Sequence, residues 1–395
     1  MTATLTTVNN IAKEIYQGKI RNQLNEESIG FKRIERTSEG VESQVGGKYV
    51  TFPIKVRRNS GIGYRNELEQ LMAAGQQGYL SVRIGLKYGY GRVRLSGQVM
   101  DLVESNYQAF ANAMDLEMNG IKNDIAKDIN RIFYGDGTGT VATATAGLNN
   151  TVTVASTQYL EVGMKIDILD ATGVTPRVSN REITGIAGLV VTFDGASATT
   201  TVVTTDIIVR TGNFGREPQG LKSLVAATGT LFNVDPTTDP VWKAYVNSNS
   251  GTPRALSEGL MILGTDEVRR QGGGKTSLIL TSLGVRRAYF SLLSQQRRYT
   301  DVKTFDGGIQ GLAFHNGREI PVVDDLDCPA GVMYLLDESS FKIYRDKDWS
   351  WLNQDGDIWK WVTDYDAFEA ILKQYWEIGI HSRNANGVIK DITEA

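Results

Sequence analysis

The sequence predicts an α+β protein into which a small all-β domain is inserted. Three observations carry that expectation. A long helix with one apolar stripe runs over 100–134. A glycine- and arginine-rich stretch before it alternates with the period of β-strands. After it, a threonine-rich island of short β runs separates the helix from a mixed α/β region.

The helix comes first because its pattern is the clearest. Tyr107, Phe110, Met114, Met118, Ile121, Ile125, Ile129 and Ile132 follow one another at steps of three and four, the period of an α-helix with a single apolar face. At about 1.5 Å per residue such a helix is a rod of roughly 50 Å. Globular helices average about 11 or 12 residues. The rod ends at Gly135-Asp136-Gly137-Thr138-Gly139. That run lacks the oxygen-donor spacing of an EF-hand, so a helix-ending turn is expected.

Before the helix, residues 1–41 read as a polar N-terminal arm. A helix over 9–25 would place Ile11, Ile15, Ile20 and Leu24 on one side. Residues 42–98 read as a two-stranded ribbon, with one strand over 49–56 and a returning strand over 79–87. One or two helical turns are expected over 67–74. An isolated ribbon is marginal in water, so this one must lie on something else.

After the helix, residues 140–213 form the island. Sixteen of these 74 residues are Thr and none is Trp, and short β runs recur at 151–154, 165–169, 181–183, 189–193 and 206–210. That spacing predicts a small barrel or sandwich. Residues 214–319 read as α/β: a helix over 258–270, a buried strand over 277–280, and Thr281-Ser282 capping the next helix. Residues 320–395 return to strands at 333–336 and 341–344. Trp349/Trp351 and Trp359/Trp361 sit two apart, which places each pair on one sheet face. The segment 368–375 fits a short helix or a strand.

Composition excludes several classes. Hydrophobic content of 41% and charge content of 22% describe a foldable chain. A net charge of −3 argues against general polyanion binding. No apolar run reaches the roughly 18 residues of a membrane helix, and the start carries no secretory pattern. The lone Cys328 permits no intrachain disulfide. His315 and His381 are the only histidines, little material for imidazole catalysis or a His-rich metal site.

The local motifs favour structure over chemistry. Gly272-Gly273-Gly274-Lys275-Thr276 resembles the end of a phosphate loop, but the required first Gly is Arg269. The predicted order is also helix, loop, strand, the reverse of what a phosphate site needs. A mobile loop is expected instead. Asp324, Asp325 and Asp327 have no basic or nucleophilic partner at useful spacing, so a solvated turn is favoured over a weak cation site. The Trp pairs fit core or interface packing better than a sugar platform. No enzyme, cofactor or metal site is predicted.

Charge asymmetry is the sharper signal. From Lys48 to Gly97 nine basic residues (Lys48, Lys55, Arg57, Arg58, Arg65, Arg83, Lys87, Arg92, Arg94) face two acidic ones, Glu67 and Glu69. From Asp324 to Glu377 thirteen acidic residues face five basic ones. The expected interface pairs Lys55, Arg57, Arg58, Arg65, Arg83, Lys87, Arg92 and Arg94 of one copy with Asp346, Asp348, Asp355, Asp357, Asp364 and Asp366 of the next. Complementary fields of this kind steer encounter and fix register.

The order of these parts resembles the major capsid proteins of tailed phages, with the Hong Kong 97-type fold. The long helix (99–139) resembles the family's spine helix, and the Arg-rich ribbon its extended loop. Gly135-Asp136-Gly137-Thr138, later joined by Pro218-Gln219-Gly220-Leu221, is similar to the link from spine to axial domain. Leu278-Ile279-Leu280 and the following helix look like that domain's strand–helix pair (214–319). Ile320-Pro321-Val322-Val323, Cys328-Pro329-Ala330-Gly331, Phe368 and Arg383-Asn384-Ala385 resemble the closing peripheral-domain segment (320–395). The island is the main departure from the family pattern.

The resemblance implies a non-enzymatic virion subunit, assembled in the host bacterial cytoplasm. It would form pentamers and hexamers of an icosahedral shell around double-stranded DNA contacted without sequence preference. It implies a portal protein as partner, and a decoration protein is a further candidate. The start of the chain near the arm implies a separate scaffolding protein. Some relatives crosslink Lys to Asn; Lys48 and Lys55 lie in the matching loop, but no motif identifies the Asn or a catalytic Glu, and no crosslink is predicted. Two alternatives stand beside this reading: an encapsulin-like shell enclosing cargo protein, and a β-rich carbohydrate-binding or adhesive protein.

Overall fold

A computed structural model describes residues 30–36, 41–43, 49–97, 107–195, 202–296, 312–315, 319–346, 349–353 and 358–395. The helix expected over 9–25 lies outside the described residues.

The first described elements are helix α1 (Gly30–Arg36), strand β1 (Val41–Ser43), the ribbon strands β2 (Tyr49–Arg57) and β3 (Gly78–Gly85), and β4 (Lys87–Ser96). The long helix α2 (Tyr107–Tyr134) has 28 residues. The side chains of Tyr107, Phe110 and Met114 lie outside those described. The rest of the stripe faces inward as its period requires. Ile121 and Ile125 are half-buried, Ile129 and Ile132 buried, and Phe133 fully buried.

The island closes into a barrel. Its strands are β5 (Thr140–Leu148), β6 (Thr151–Val154), β7 (Lys165–Leu169), β8 (Pro176–Ala187), β9 (Val190–Phe193) and β10 (Ile207–Arg210), in the order β10-β5-β6-β9-β8-β7. Alternation sends Val152, Val154, Ile166, Ile168, Ile183, Val191 and Ile208 inward, all fully buried. They form a core that shares no residue with the rest of the molecule. Closure leaves no sheet edge exposed, which a six-stranded open sheet would have to protect.

Beyond the barrel come helix α3 (Leu221–Leu224), β11 (Tyr245–Asn247), helix α4 (Glu258–Gly272), β12 (Leu278–Thr281), helix α5 (Leu283–Gln296), β13 (Leu312–His315), β14 (Glu319–Asp324), β15 (Met333–Leu336), β16 (Phe341–Arg345), β17 (Ser350–Trp351), β18 (Lys360–Trp361), β19 (Ala367–Ile380) and β20 (Gly387–Ile389). Ser257 caps α4 by accepting the Leu260 N–H at 3.2 Å. Ser282 caps α5 through the Val285 N–H at 3.4 Å.

Two six-stranded sheets make the body. One has the order β11-β20-β15-β12-β14-β13 and carries α4 and α5. The other is built on β19, a 14-residue strand paired with β16, β17, β18 and β4, with β1 beside β16. The segment 368–375, open between helix and strand in the sequence, is therefore strand. Residues 320–395 serve both sheets, since β14 and β15 pair with β12 and β20 pairs with β15, while β16 to β19 build the other. One core spans ribbon, helix end and both sheets, from Ile84 and Phe133 to Leu278, Leu336, Ile378 and Val388.

β4 differs from its sequence reading. The sequence groups it with the ribbon, whereas it pairs with β19 over ten residues, from Lys87↔Trp376 to Ser96↔Ala367. Its Tyr-Gly-Tyr-Gly run explains itself there. Tyr88 and Tyr90 point outward, while Gly89 and Gly91 face the body. A Cβ on Gly91 would meet Ile125 at 2.7 Å and Ile121 at 3.0 Å. The strand thus omits side chains where the helix stripe lies on it.

Candidate assembly surfaces

The ribbon has two unlike faces. Val50, Phe52, Ile54 and Val56 of β2 share one side with Leu80, Val82 and Ile84 of β3. That side lies on the body. Val82 and Ile84 are fully buried, and Phe52 stacks on His381 with ring centroids 4.4 Å apart. The other side carries Lys55, Arg57 and Arg83 into solvent. Arg57 also reaches Asp239 of its own chain at 3.8 Å. Arg58 and Arg65 are exposed in the loop beyond the strands.

That loop, 58–77, exposes several large apolar side chains. Ile62, Tyr64, Leu68 and Leu71 are 81%, 99%, 101% and 83% exposed. Large apolar side chains gathered in water mark an interaction surface. The helical turns expected over 67–74 are absent. The Asn66 N–H instead donates to Glu69 at 3.1 Å, and Leu68 takes a φ of 65°. Sequence reasoning passed over these side chains because they follow neither a helix nor a strand period.

Lys87, Arg92 and Arg94 sit on β4 rather than on the ribbon. Arg92 Nε donates to Glu369 Oε2 at 2.8 Å, and Arg94 reaches the same oxygen at 3.3 Å. Hydrogen bonding from Arg92 first, then from Arg94, holds the Glu369 carboxyl below its ordinary range. Lys87 Nζ donates to the Gly215 carbonyl at 2.9 Å. All three have partners within their own chain, although such exposed pairs contribute little.

The acidic surplus divides in the same way. Asp324 pairs with Arg286, Glu338 with Arg33, and Glu369 with the two arginines. Asp337 caps a turn through the Ser339 N–H. Asp325, Asp327 and Glu377 are buried. The solvated turn expected at Asp324–Asp327 is thus a buried junction, because the Asn130 amide donates to both inner carboxylates. Asp346, Asp364 and Asp366 remain exposed. Asp348, Asp355 and Asp357 lie outside the described residues. The Asp346 N–H bonds Tyr375, and Asp366 adjoins Ala367. These two acids therefore flank the sheet about 26 Å apart at ordinary strand rise.

Where the barrel joins the helix, charges are buried in pairs. Arg131 bridges Asp128 at 2.8 Å and also pairs with Glu217, and Arg210 of the barrel reaches Asp128 at 3.0 Å. Burial opposes the Asp128 charge, but Arg131 and Arg210 outweigh it and keep the carboxyl below its ordinary range. The turn expected after the helix is present. Asp136 accepts the Thr138 N–H at 3.1 Å and Lys222 Nζ at 2.7 Å, with Gly137 and Gly139 at φ 78° and 81°. Close by, Glu377 accepts the Gln219 N–H at 2.6 Å and the Ile378 N–H at 3.1 Å. Burial pushes its carboxyl up to about 8 against those two donors.

The glycine run ends α4 rather than cradling phosphate. The Gly273 N–H returns to the Arg269 carbonyl at 2.9 Å with φ 67°, the left-handed cap glycine supplies. Side chains on Gly272 or Gly274 would collide with the backbone of Asn384 and Ala385. The mobile loop expected there is packed against the Arg383–Ala385 turn. Among the described residues no group of three or more His, Cys, Asp or Glu side chains is placed to hold a metal, and no helix is long and apolar enough to cross a membrane.

No family model and no curated protein matches the chain. Solved structures do. The cyanophage A-1(L) capsid asymmetric unit matches with a TM-score of 0.63 at 16% identity, over 99% of this chain and 100% of the other. The capsid of an empty GTA particle computed with C5 symmetry matches with a TM-score of 0.52 at 10% identity, over the whole of both chains. The native GTA particle gives 0.52 at 11%, over 100% and 99%. The fold is therefore the Hong Kong 97-type capsid fold, as the sequence resemblance implied.

Proposed function

We propose that the chain is a major capsid protein, which assembles as pentamers and hexamers into an icosahedral phage head around double-stranded DNA. The observation that carries this reading is the match with the A-1(L) capsid asymmetric unit, which runs over 99% of this chain and 100% of that one. The exposed loop supports it, since no described residue of the chain shelters Ile62, Tyr64, Leu68 and Leu71. Partners in this reading are other copies, a portal protein, a separate scaffolding protein and packaged DNA. The inserted barrel serves as a surface module that stabilises the shell or receives a decoration protein. The assembled location is the virion, after assembly in the host bacterial cytoplasm.

The ribbon's basic face, with Lys55, Arg57, Arg58, Arg65 and Arg83, is assigned to a neighbour's acidic surface around Asp346, Asp364 and Asp366. Reversing Arg57, Arg58 and Arg83 to Glu should cut the yield of shells and make the remainder more salt-sensitive. Normal, salt-insensitive shells would sink that assignment. Nucleic acid inside purified virions supports the head reading. Protein cargo in place of nucleic acid would move it to an encapsulin-like compartment.

A further inference from the structure

The turn after β14, from Asp325 to Cys328, joins three segments far apart in the chain. The Gly30 N–H donates to Asp325 Oδ2 at 2.7 Å. Asn130 of α2 donates Nδ2 to Asp325 Oδ1 at 2.8 Å and to Asp327 Oδ2 at 2.7 Å. From the barrel, Gln158 Nε2 donates to the Leu326 carbonyl at 3.2 Å and reaches Asp327 Oδ1 at 3.5 Å. The Tyr159 hydroxyl donates to the Asp327 carbonyl, also at 3.5 Å. Asp325 and Asp327 are 2% and 8% exposed.

Two buried carboxylates that share one amide repel each other unless a proton or a counter-charge comes between them. Among the described residues no Lys or Arg forms an ion pair with either. Asp325 accepts a third hydrogen bond, from the Asp327 N–H at 3.0 Å. Asp327 faces the barrel. Burial, with the Asp325 charge beside it, lifts the Asp327 carboxyl above its ordinary range, against Asn130, Tyr159 and Lys127. The other titratable groups at the turn are Tyr134 of α2, Cys328 itself, and Tyr334 and Glu394 behind Cys328. Burial drives the Tyr134 hydroxyl and the Cys328 thiol well above their ordinary values, so neither ionises alongside Asp327.

We propose that this turn is a proton-operated latch between the inserted barrel and the body. A proton on Asp327 removes its charge from beside Asp325 and keeps Gln158 and Tyr159 seated. Its loss sets Asp327 against Asp325 and loosens the seat. A carboxyl raised on docking contributes stability below the ordinary carboxylate range, and that contribution is lost as pH rises through the raised value. The Arg210–Asp128 tie on the same barrel has the opposite sign. Asp128 is held low, so that contact weakens only as pH falls through its lowered value.

Amide hydrogen exchange of the full chain, read on peptides covering 155–160 and 325–328 and corrected for intrinsic rates, tests the latch. From about pH 4 upward, wild-type protection of 155–160 should fall several-fold as pH rises, while Asp327→Asn stays protected throughout. Should Asp327→Asn fail to fold, Asp325→Asn removes the same repulsion and is held to the same expectation. Gln158→Ala should leave 155–160 open at every pH. A wild type with no trend would overturn the latch, as would a trend that survives in the Asn variants. A barrel that loosens only in acid would assign the pH response to Asp128 and overturn it as well.

Discussion

Arg383 and Glu377 are both buried charged side chains, and they are satisfied in different ways. Arg383 gives its guanidinium to the carbonyls of Ser223, Leu224, Thr228, Gly229 and Trp242. It stitches the chain after α3 to the Arg383–Ala385 turn, although burial lowers its pKa to about 10. Glu377 has two backbone donors and no cation within ion-pair distance among the described residues. Its value of about 8 lies above the ordinary 4.5, so the fold is most stable with Glu377 protonated. That contribution should drain away as pH rises from about 4.5 toward 8. Glu377→Gln keeps an acceptor for the Gln219 and Ile378 N–H groups, so it should flatten this slope and raise the melting temperature at neutral pH. Melting curves across that window would check it, and an unchanged slope would contradict it. None of this was legible in the sequence. Counting thirteen acids between Asp324 and Glu377 cannot separate Asp346, which meets solvent, from Asp325, Asp327 and Glu377, which meet buried donors supplied from positions up to 295 residues away.

The elements were more legible where a period was strong. The stripe from Ile121 to Ile132 gave the helix its face, and alternation gave β2 and β3 their two sides. The barrel was legible from its short runs and turn residues, because each strand pairs with another of the same island. β4 was not legible, since Tyr-Gly-Tyr-Gly carries no apolar face of its own and its pleat is fixed by a helix lying on it. Gly91→Leu should therefore separate α2 from the sheet. Overpacking of this kind costs about 1–3 kcal/mol, measurable by chemical denaturation, whereas Tyr90→Leu on the open face should cost much less. Equal costs at the two positions would contradict the packing. The split of 320–395 between two sheets was also hidden. Apart from β19 its strands are short, and only their pairing decides which sheet each joins.

At the scale of the whole molecule, the barrel is a second folding unit carried on the body. Its core contacts none of the main core's residues, and it hangs on Arg210, Gln158 and Tyr159. Replacing 141–209 by a short glycine-rich linker should leave the body folded, with its main unfolding transition retained and a separate barrel transition lost. Loss of both transitions would contradict that independence. If the barrel stabilises the shell, shells of the shortened chain should also dissociate at lower denaturant. The body itself is built around exposure. Its ribbon stem is anchored by Ile84 and Phe52, and its loop holds Ile62, Tyr64, Leu68 and Leu71 in water. On the proposed reading such a molecule is completed by its neighbours. Negative-stain microscopy of the expressed chain, with and without its neighbouring gene products, tests that claim most directly. The account predicts closed shells built of pentamers and hexamers. A chain that stays monomeric at high concentration in both preparations would contradict it.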